Sequence, residues 1–475
     1  MSSTNRVVTT PSGNVQGINR SDGTTEFLGI RYATAKRFEP PVDTMSWSHT
    51  LQATSYGALA PQTPGMLEQM LGLSIDDMSE DCHFLNVYSP IDSTDTSNLP
   101  VLFWIHGGAF LNGAGSIAWY HGSPLARRGA VVVSINYRLG ALGFLGDGNM
   151  GTLDMISALR WTNRNIKSFG GDPSNVTIFG ESAGGSGVIS LMASKEAEPY
   201  FHKVWSMSPS IGQLRSKSRT NEVTQQFFTA ADISSMEEAK NLNLDQILAA
   251  QSVVIAQPSD SYDVFAPSEL GASMSADIMG TAAVSPKPVV VGTNRDENKL
   301  FSAFDPTQAN ITTEQWHKFA GKIFGNKAET AIATYEAHRA GESPAQLISA
   351  VNTDIAFRRR AQLFAEQRNS HHSPTWMYWF TWATPAFGGL LGSCHALDIP
   401  FAFDNLDAPG TELLTGDAPD RKLLAERFST EILHFAKHGH PSWEQFNTLN
   451  RPTLRLDTET SLLHDPEPEI RHLFS

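Results

Sequence analysis

The chain has 475 residues, 40% apolar and 18% charged, with a net charge of −14 from 35 basic and 49 acidic side chains. This composition suits a folded globular protein rather than a disordered one, and its acidic balance argues against a nucleic-acid partner, which needs a basic surface. Cys82 and Cys394 are the only cysteines and form no CxxC pair, which argues against a structural zinc site.

In chain order, the first residues, Met1 to Arg6, hold no apolar segment of the secretory type. No apolar run reaches the ~18 residues needed to span a bilayer. These features predict a soluble, cytoplasmic protein with no membrane insertion. One Cys82–Cys394 disulfide or two free thiols would fit the count, and a reducing cytoplasm favours free thiols.

Arg6–Thr9 and Val15–Ile18 flank the turn Pro11-Ser12-Gly13-Asn14 and read as a hairpin. Phe84–Tyr88 is a further strand candidate. Five apolar runs follow: Val101–Ile105, Ala130–Ile135, Val176–Phe179, Val204–Met207 and Pro288–Gly292. Strands that are apolar on both sides suit a parallel sheet covered by helices on both faces. Helical spacing over 151–167 and 183–194 completes the βαβ alternation of a doubly wound α/β fold. Two helix-rich, more polar stretches, about 211–285 and 303–372, interrupt it. They read as insertions that cap the sheet and wall a pocket within a single domain spanning 1–475. Thr353 through Gln367 reads as one long amphipathic helix. A helix over about 419–438 and strands at Thr453–Leu456 and Ser461–Leu463 end the chain.

The run Gly180-Glu181-Ser182-Ala183-Gly184 follows one strand and opens one helix. That is the context of a nucleophile elbow, where a tight turn presents a serine oxygen over the sheet edge. The helix N-terminus beside it favours developing negative charge. His106-Gly107-Gly108-Ala109-Phe110 directly follows Val101–Ile105. Small residues there let the backbone curl so that its N–H groups converge on an oxyanion.

A nucleophilic serine needs a base, and the base an orienting acid, in the chain order Ser, acid, His. Among the histidines after Ser182, His395 lies in a loop just before an apolar stretch. His371 and His372 sit in a polar turn. His434, His438 and His440 sit in or just after the late helix. Asp296 and Glu297 follow the strand Pro288–Gly292, so one should face the site and the other away. The local pattern does not choose between them.

These motifs resemble the type-B carboxylesterase and cholinesterase-like family, in its bacterial para-nitrobenzyl-esterase-like branch. The resemblance runs through Phe27–Ala33, Ser79–Val87, His106–Phe110, Asn136–Phe144, Ala158–Gly185, Gly292–Glu297, His395 and Phe435–Trp443. It implies an α/β-hydrolase fold and a serine carboxylesterase working through an acyl-enzyme on small esters of short to medium acyl chain. It implies Ser182 as nucleophile, Glu297 as acid and His395 as base. The oxyanion donors would be the N–H groups of Gly108, Ala109 and Ala183, with Gly107 serving the turn. Glu181 would be a buried carboxylate beside the nucleophile, and Ser208 would hydrogen-bond near the triad, although Pro209 stands where the family has glycine. No metal or cofactor is expected, and the chain should be a monomer or homodimer. Arg31 stands where the family usually has proline, and no cysteine precedes Cys82 to form the disulfide of animal members.

Overall fold

The computed structural model describes residues 5–65, 69, 77–257, 264–271 and 273–475. Residues 1–4 of the N-terminal reading, and 258–263 and 272 of the first insertion, lie outside the described residues.

Twelve strands form the spine of a 13-stranded sheet. They are β1 (Asn5–Thr10), β2 (Gly13–Asn19), β3 (Thr24–Arg31), β4 (Phe84–Pro90), β5 (Leu99–Ile105), β6 (Val131–Ile135), β7 (Gly171–Glu181), β8 (Lys203–Met207), β9 (Val289–Asn294), β10 (Thr375–Phe380), β11 (Pro452–Leu456) and β12 (Ser461–His464). Their spatial order is β1-β2-β3-β4-β6-β5-β7-β8-β9-β10-β11-β12, with the short strand Leu51–Gln52 paired to β2. The centre, from β6 to β11, is parallel. The pairs at both ends are antiparallel.

The period of two along each central strand divides the core between the two faces. Val101, Phe103, Ile105, Val131, Val133, Val176 and Ile178 pack with Met155, Leu159, Val188 and Leu191. Those partners come from helices α1 (Met150–Asn165) and α2 (Ala183–Met192). Leu102, Trp104, Val132, Phe179, Trp205 and Val290 point the other way. They pack with Leu424, Phe428, Ile432 and Phe435 of the late helix, Arg421–His438. Both faces are covered, which is why these strands read as continuous apolar runs.

The first insertion carries α3 (Lys217–Ala231) and α4 (Leu244–Ile255). The second carries α5 (Thr313–Phe324), α6 (Ala328–His338), α7 (Pro344–Thr353) and α8 (Arg359–Ser370). Trp316, Tyr335, Leu347 and Val351 of the second insertion form a small core of their own with Ile470 and Leu473. The expected helix from Thr353 to Gln367 is helical throughout, with one π-helical turn in its course. That π-helical turn, Asp354–Arg358, runs directly from α7 into α8. Buried Asp354 accepts a hydrogen bond from the Tyr335 hydroxyl at 2.7 Å, and Arg358 pairs with Glu467. Both contacts fall within that wider turn. Strand β10 follows the last of these helices after a turn at His371-His372 and is buried throughout.

Cys82 and Cys394 are both free and buried. Arg138 grips Asp154 of α1 through Nε and a terminal nitrogen, at 2.8 and 2.7 Å, and His83 Nε2 stands 3.1 Å from the same carboxylate. All three side chains are buried. Removing the anion would strand a buried guanidinium. Asp154→Ala is therefore expected to cost about 3–5 kcal/mol of stability in urea unfolding, whereas a loss below ~1 kcal/mol would show that the ion pair is not holding the fold.

Candidate active site

Ser182 closes β7 and opens α2 with φ 57° and ψ −118°. A non-glycine residue there is strained by roughly 1–3 kcal/mol and persists only when its surroundings hold it. The backbone supplies that hold. Ser182 N–H donates to the Met207 carbonyl at 3.0 Å, and Ser182 O accepts from Ser186 N–H at 2.9 Å. Gly184 explains how tight the turn is, since a methyl there would come within 2.0 Å of the Ile105 carbonyl oxygen.

The Gly107–Phe110 loop lies against this turn. A methyl on Gly107 would fall 2.9 Å from Glu181 Oε2 and 3.2 Å from Ser182 Cβ. Gly108, Ala109 and Phe110 all have positive φ, of 100°, 55° and 60°. The Gly108 carbonyl closes the loop by accepting from Leu111 and Asn112 N–H at 2.8 and 3.0 Å. No acceptor among the described residues takes the N–H of Gly108 or Ala109. Ala183 is the first residue of α2, so its N–H has no intrahelical partner. His106 is buried, stacks on Tyr137 and bonds through Nδ1 to the Gly107 carbonyl at 2.8 Å. Burial pushes its pKa down to about 4 despite that bond, so it stays neutral.

Glu297 follows β9, and His395 follows β10 through a longer loop. The structure brings them together, with His395 Nδ1 2.6 Å from Glu297 Oε2 and both side chains buried. Glu297 Oε1 accepts from Asn294 N–H at 2.7 Å, so both carboxylate oxygens are engaged. Of the two adjacent acids, Glu297 faces His395, and Asp296 bonds instead to Ser393 N–H. On its far side, His395 Nε2 is 3.1 Å from Glu181 Oε1. Neither of those atoms makes a hydrogen bond among the described residues. Among the described residues, His395 Nε2 makes no hydrogen bond to Ser182 Oγ.

Ser208, with φ 40°, donates its N–H to the Gly292 carbonyl at 2.8 Å. Its hydroxyl is buried and has no partner among the described residues. Three neighbours had no motif to announce them. The rings of Phe301 and Phe357 lie 5.3 and 4.7 Å from the His395 ring. Asp398, three residues beyond His395, is buried and accepts from Tyr378 OH at 3.0 Å. Burial and the Glu297 charge push its pKa up to about 7. The spacing from His395 was the one available signal for Asp398.

Burial raises the pKa of Glu181 well above the usual carboxylate range, with Asp398 and Glu297 adding to the rise against the pull of His395. For His395, burial pushes the pKa down, but Glu181 and Glu297 together outweigh it and raise the imidazole above its ordinary value. A base must be deprotonated to act. The acidic limb of kcat/KM is therefore expected above pH 6.5, the ordinary histidine value. Where Glu181 is ionised it favours imidazolium, so Glu181→Gln should move that limb to lower pH. A pH–rate series on both proteins checks this; an unmoved or raised limb would refute it.

Strand order, elbow and loop placement define an α/β-hydrolase, with its candidate groups on loops after the C-terminal ends of parallel strands. The chain belongs to the carboxylesterase family, whose sequence model matches residues 4–470, and it is a carboxylic ester hydrolase. It is 34% identical to the para-nitrobenzyl esterase of Bacillus subtilis over 98% of both chains. It is 31% identical to the phenmedipham hydrolase of Pseudarthrobacter oxydans, over 97% of this chain and 95% of the relative. Among solved structures it superposes on a PNB esterase with a TM-score of 0.86 at 32% identity, covering 99% of this chain and 100% of the other. A Geobacillus stearothermophilus carboxylesterase superposes with a TM-score of 0.85 at 30% identity, over 99% and 100% of the two chains. Among the described residues, no helix is long and apolar enough to cross a membrane.

Proposed function

We propose that the chain hydrolyses small carboxylic esters by double displacement at Ser182. His395 takes the proton of Ser182 Oγ as that oxygen attacks the ester carbonyl. The N–H groups of Gly108, Ala109 and Ala183 receive the oxyanion, each donor being worth roughly 2.7–4 kcal/mol in such sites. His395 then gives its proton to the leaving alcohol, which departs and leaves Ser182 acylated. Water, deprotonated by His395, attacks the acyl carbon and releases the acid. Glu297 holds the tautomer with the proton on Nδ1 and stabilises the imidazolium formed in each half-reaction.

The observation that carries this reading is the buried 2.6 Å contact between His395 Nδ1 and Glu297, beside a strained serine turn. Phe357, from the second insertion, supports reading that stretch as a pocket wall. The free, buried cysteines suit a reducing, cytoplasmic setting. The Gly107-Gly108-Ala109-Phe110 loop resembles that of hydrolases accepting bulky, even tertiary, alcohols, which linalyl acetate tests directly.

A panel of p-nitrophenyl esters from C2 to C12 tests the main proposal. Turnover should peak at short to medium chains. No burst and no turnover on any short-chain ester would overturn it.

A further inference from the structure

Asp296 is buried beside the acid yet does not touch His395. Its N–H donates to the Ser393 carbonyl at 2.9 Å, and its Oδ2 accepts from Ser393 N–H at 3.0 Å. One residue further on, the Glu297 carbonyl accepts from His395 N–H at 3.3 Å. The loop after β9 and the loop carrying His395 are thus joined in register, and Asp296 Oδ2 is the one side-chain contact among these three. The approach is close. Gly392 has φ 55°, and a methyl there would sit 2.6 Å from Asp296 Oδ2. The other carboxylate oxygen is 3.4 Å from Lys299 Nζ, which also pairs with Glu342 at 2.9 Å. Beyond Ser393 the chain passes His395 and turns through Ala396 at φ 64°.

We propose that Asp296 is a positioning residue: its carboxylate ties Ser393 to the acid loop and so sets where His395 stands relative to Glu297 and Ser182. This rests on the reading of Glu297 and His395 as acid and base. It gives separate tasks to the adjacent acids, one orienting the imidazole directly and the other fixing the loop that carries it. Misplacing a reacting group by about 1 Å can cost ~100-fold in rate, and without this bond Ser393 keeps only its backbone contact to the acid loop, the remaining ties being the Asn294 Nδ2 bond to the Cys394 carbonyl at 2.7 Å and the contacts of His395 itself with Glu297.

Two variants in a Lys299→Met background separate this from general packing or charge. Asp296→Asn keeps an oxygen for Ser393 N–H, and Asp296→Ala does not. In that background neither variant leaves a charge at position 296 or 299. The Asn protein should keep kcat within about 5-fold of wild type, since a neutral acceptor replaces an ionised one. The Ala protein should lose about 100-fold in kcat with KM unchanged. It should also lose the far-downfield proton resonance of the His395 Nδ1–H···Glu297 bond, which the Asn protein retains. Equal kcat in the two variants, or a fall in both with the resonance intact, would overturn the proposal. Absence of ester turnover in the wild type would instead sink the hydrolytic reading, and the resonance would still decide whether Asp296 holds the loop.

Discussion

Ser182→Ala is expected to lower kcat for p-nitrophenyl esters by at least about 10⁴-fold, because removing the nucleophile leaves only substrate binding and the oxyanion donors. The fold should survive. The turn is held by backbone bonds from Ser182 N–H to the Met207 carbonyl and from Ser186 N–H to the Ser182 carbonyl, which alanine retains. KM should change little, since the serine oxygen contributes to bond making rather than to ground-state binding. A variant that folds normally and keeps more than about 1% of wild-type turnover would place the nucleophile elsewhere.

Glu297→Gln should have the second-largest effect, about 10⁴-fold in kcat. The amide is nearly isosteric, but it can present an N–H donor to His395 Nδ1. That favours the tautomer carrying the proton on Nε2, which cannot accept the serine proton. The Asn294 N–H bond to Oε1 helps fix the orientation of the carboxylate, so the change tests chemistry more than packing. The nearby carboxylates make the result discriminating. Glu181 lies 3.1 Å from Nε2 and Asp398 is buried behind the loop. A loss below about 10-fold would mean that one of these, and not Glu297, stabilises the imidazolium.

How much could be read from residues alone depended on whether information was local. Val101–Ile105 and Val131–Ile135 announced themselves because burial on both faces leaves no polar alternation to obscure a strand. Thr375–Phe380 has the same burial, but its run Thr-Trp-Met-Tyr-Trp-Phe holds one β-branched residue, unlike the valine-rich central strands. The π-helical turn at Asp354–Arg358 carries contacts to Tyr335 and Glu467, which are distant in sequence. The choice between Asp296 and Glu297 had the same character. Both follow one strand, and only the position of the 393–395 loop distinguishes their tasks. The Ser182 turn and the Gly107–Phe110 loop were legible because a tight turn and a curled backbone need small residues at Gly184, Gly107 and Gly108. Phe301, Phe357 and Asp398 reach the site through tertiary packing, and no short motif encodes that.

The most direct test of the account is covalent. The protein would be mixed with a p-nitrophenyl ester, quenched in acid during the steady state and digested for peptide mass spectrometry. The account predicts one acyl group per chain, carried on Ser182, appearing with a burst of p-nitrophenol and absent from Ser182→Ala. An acyl group on another residue, or undiminished turnover in Ser182→Ala, would contradict it.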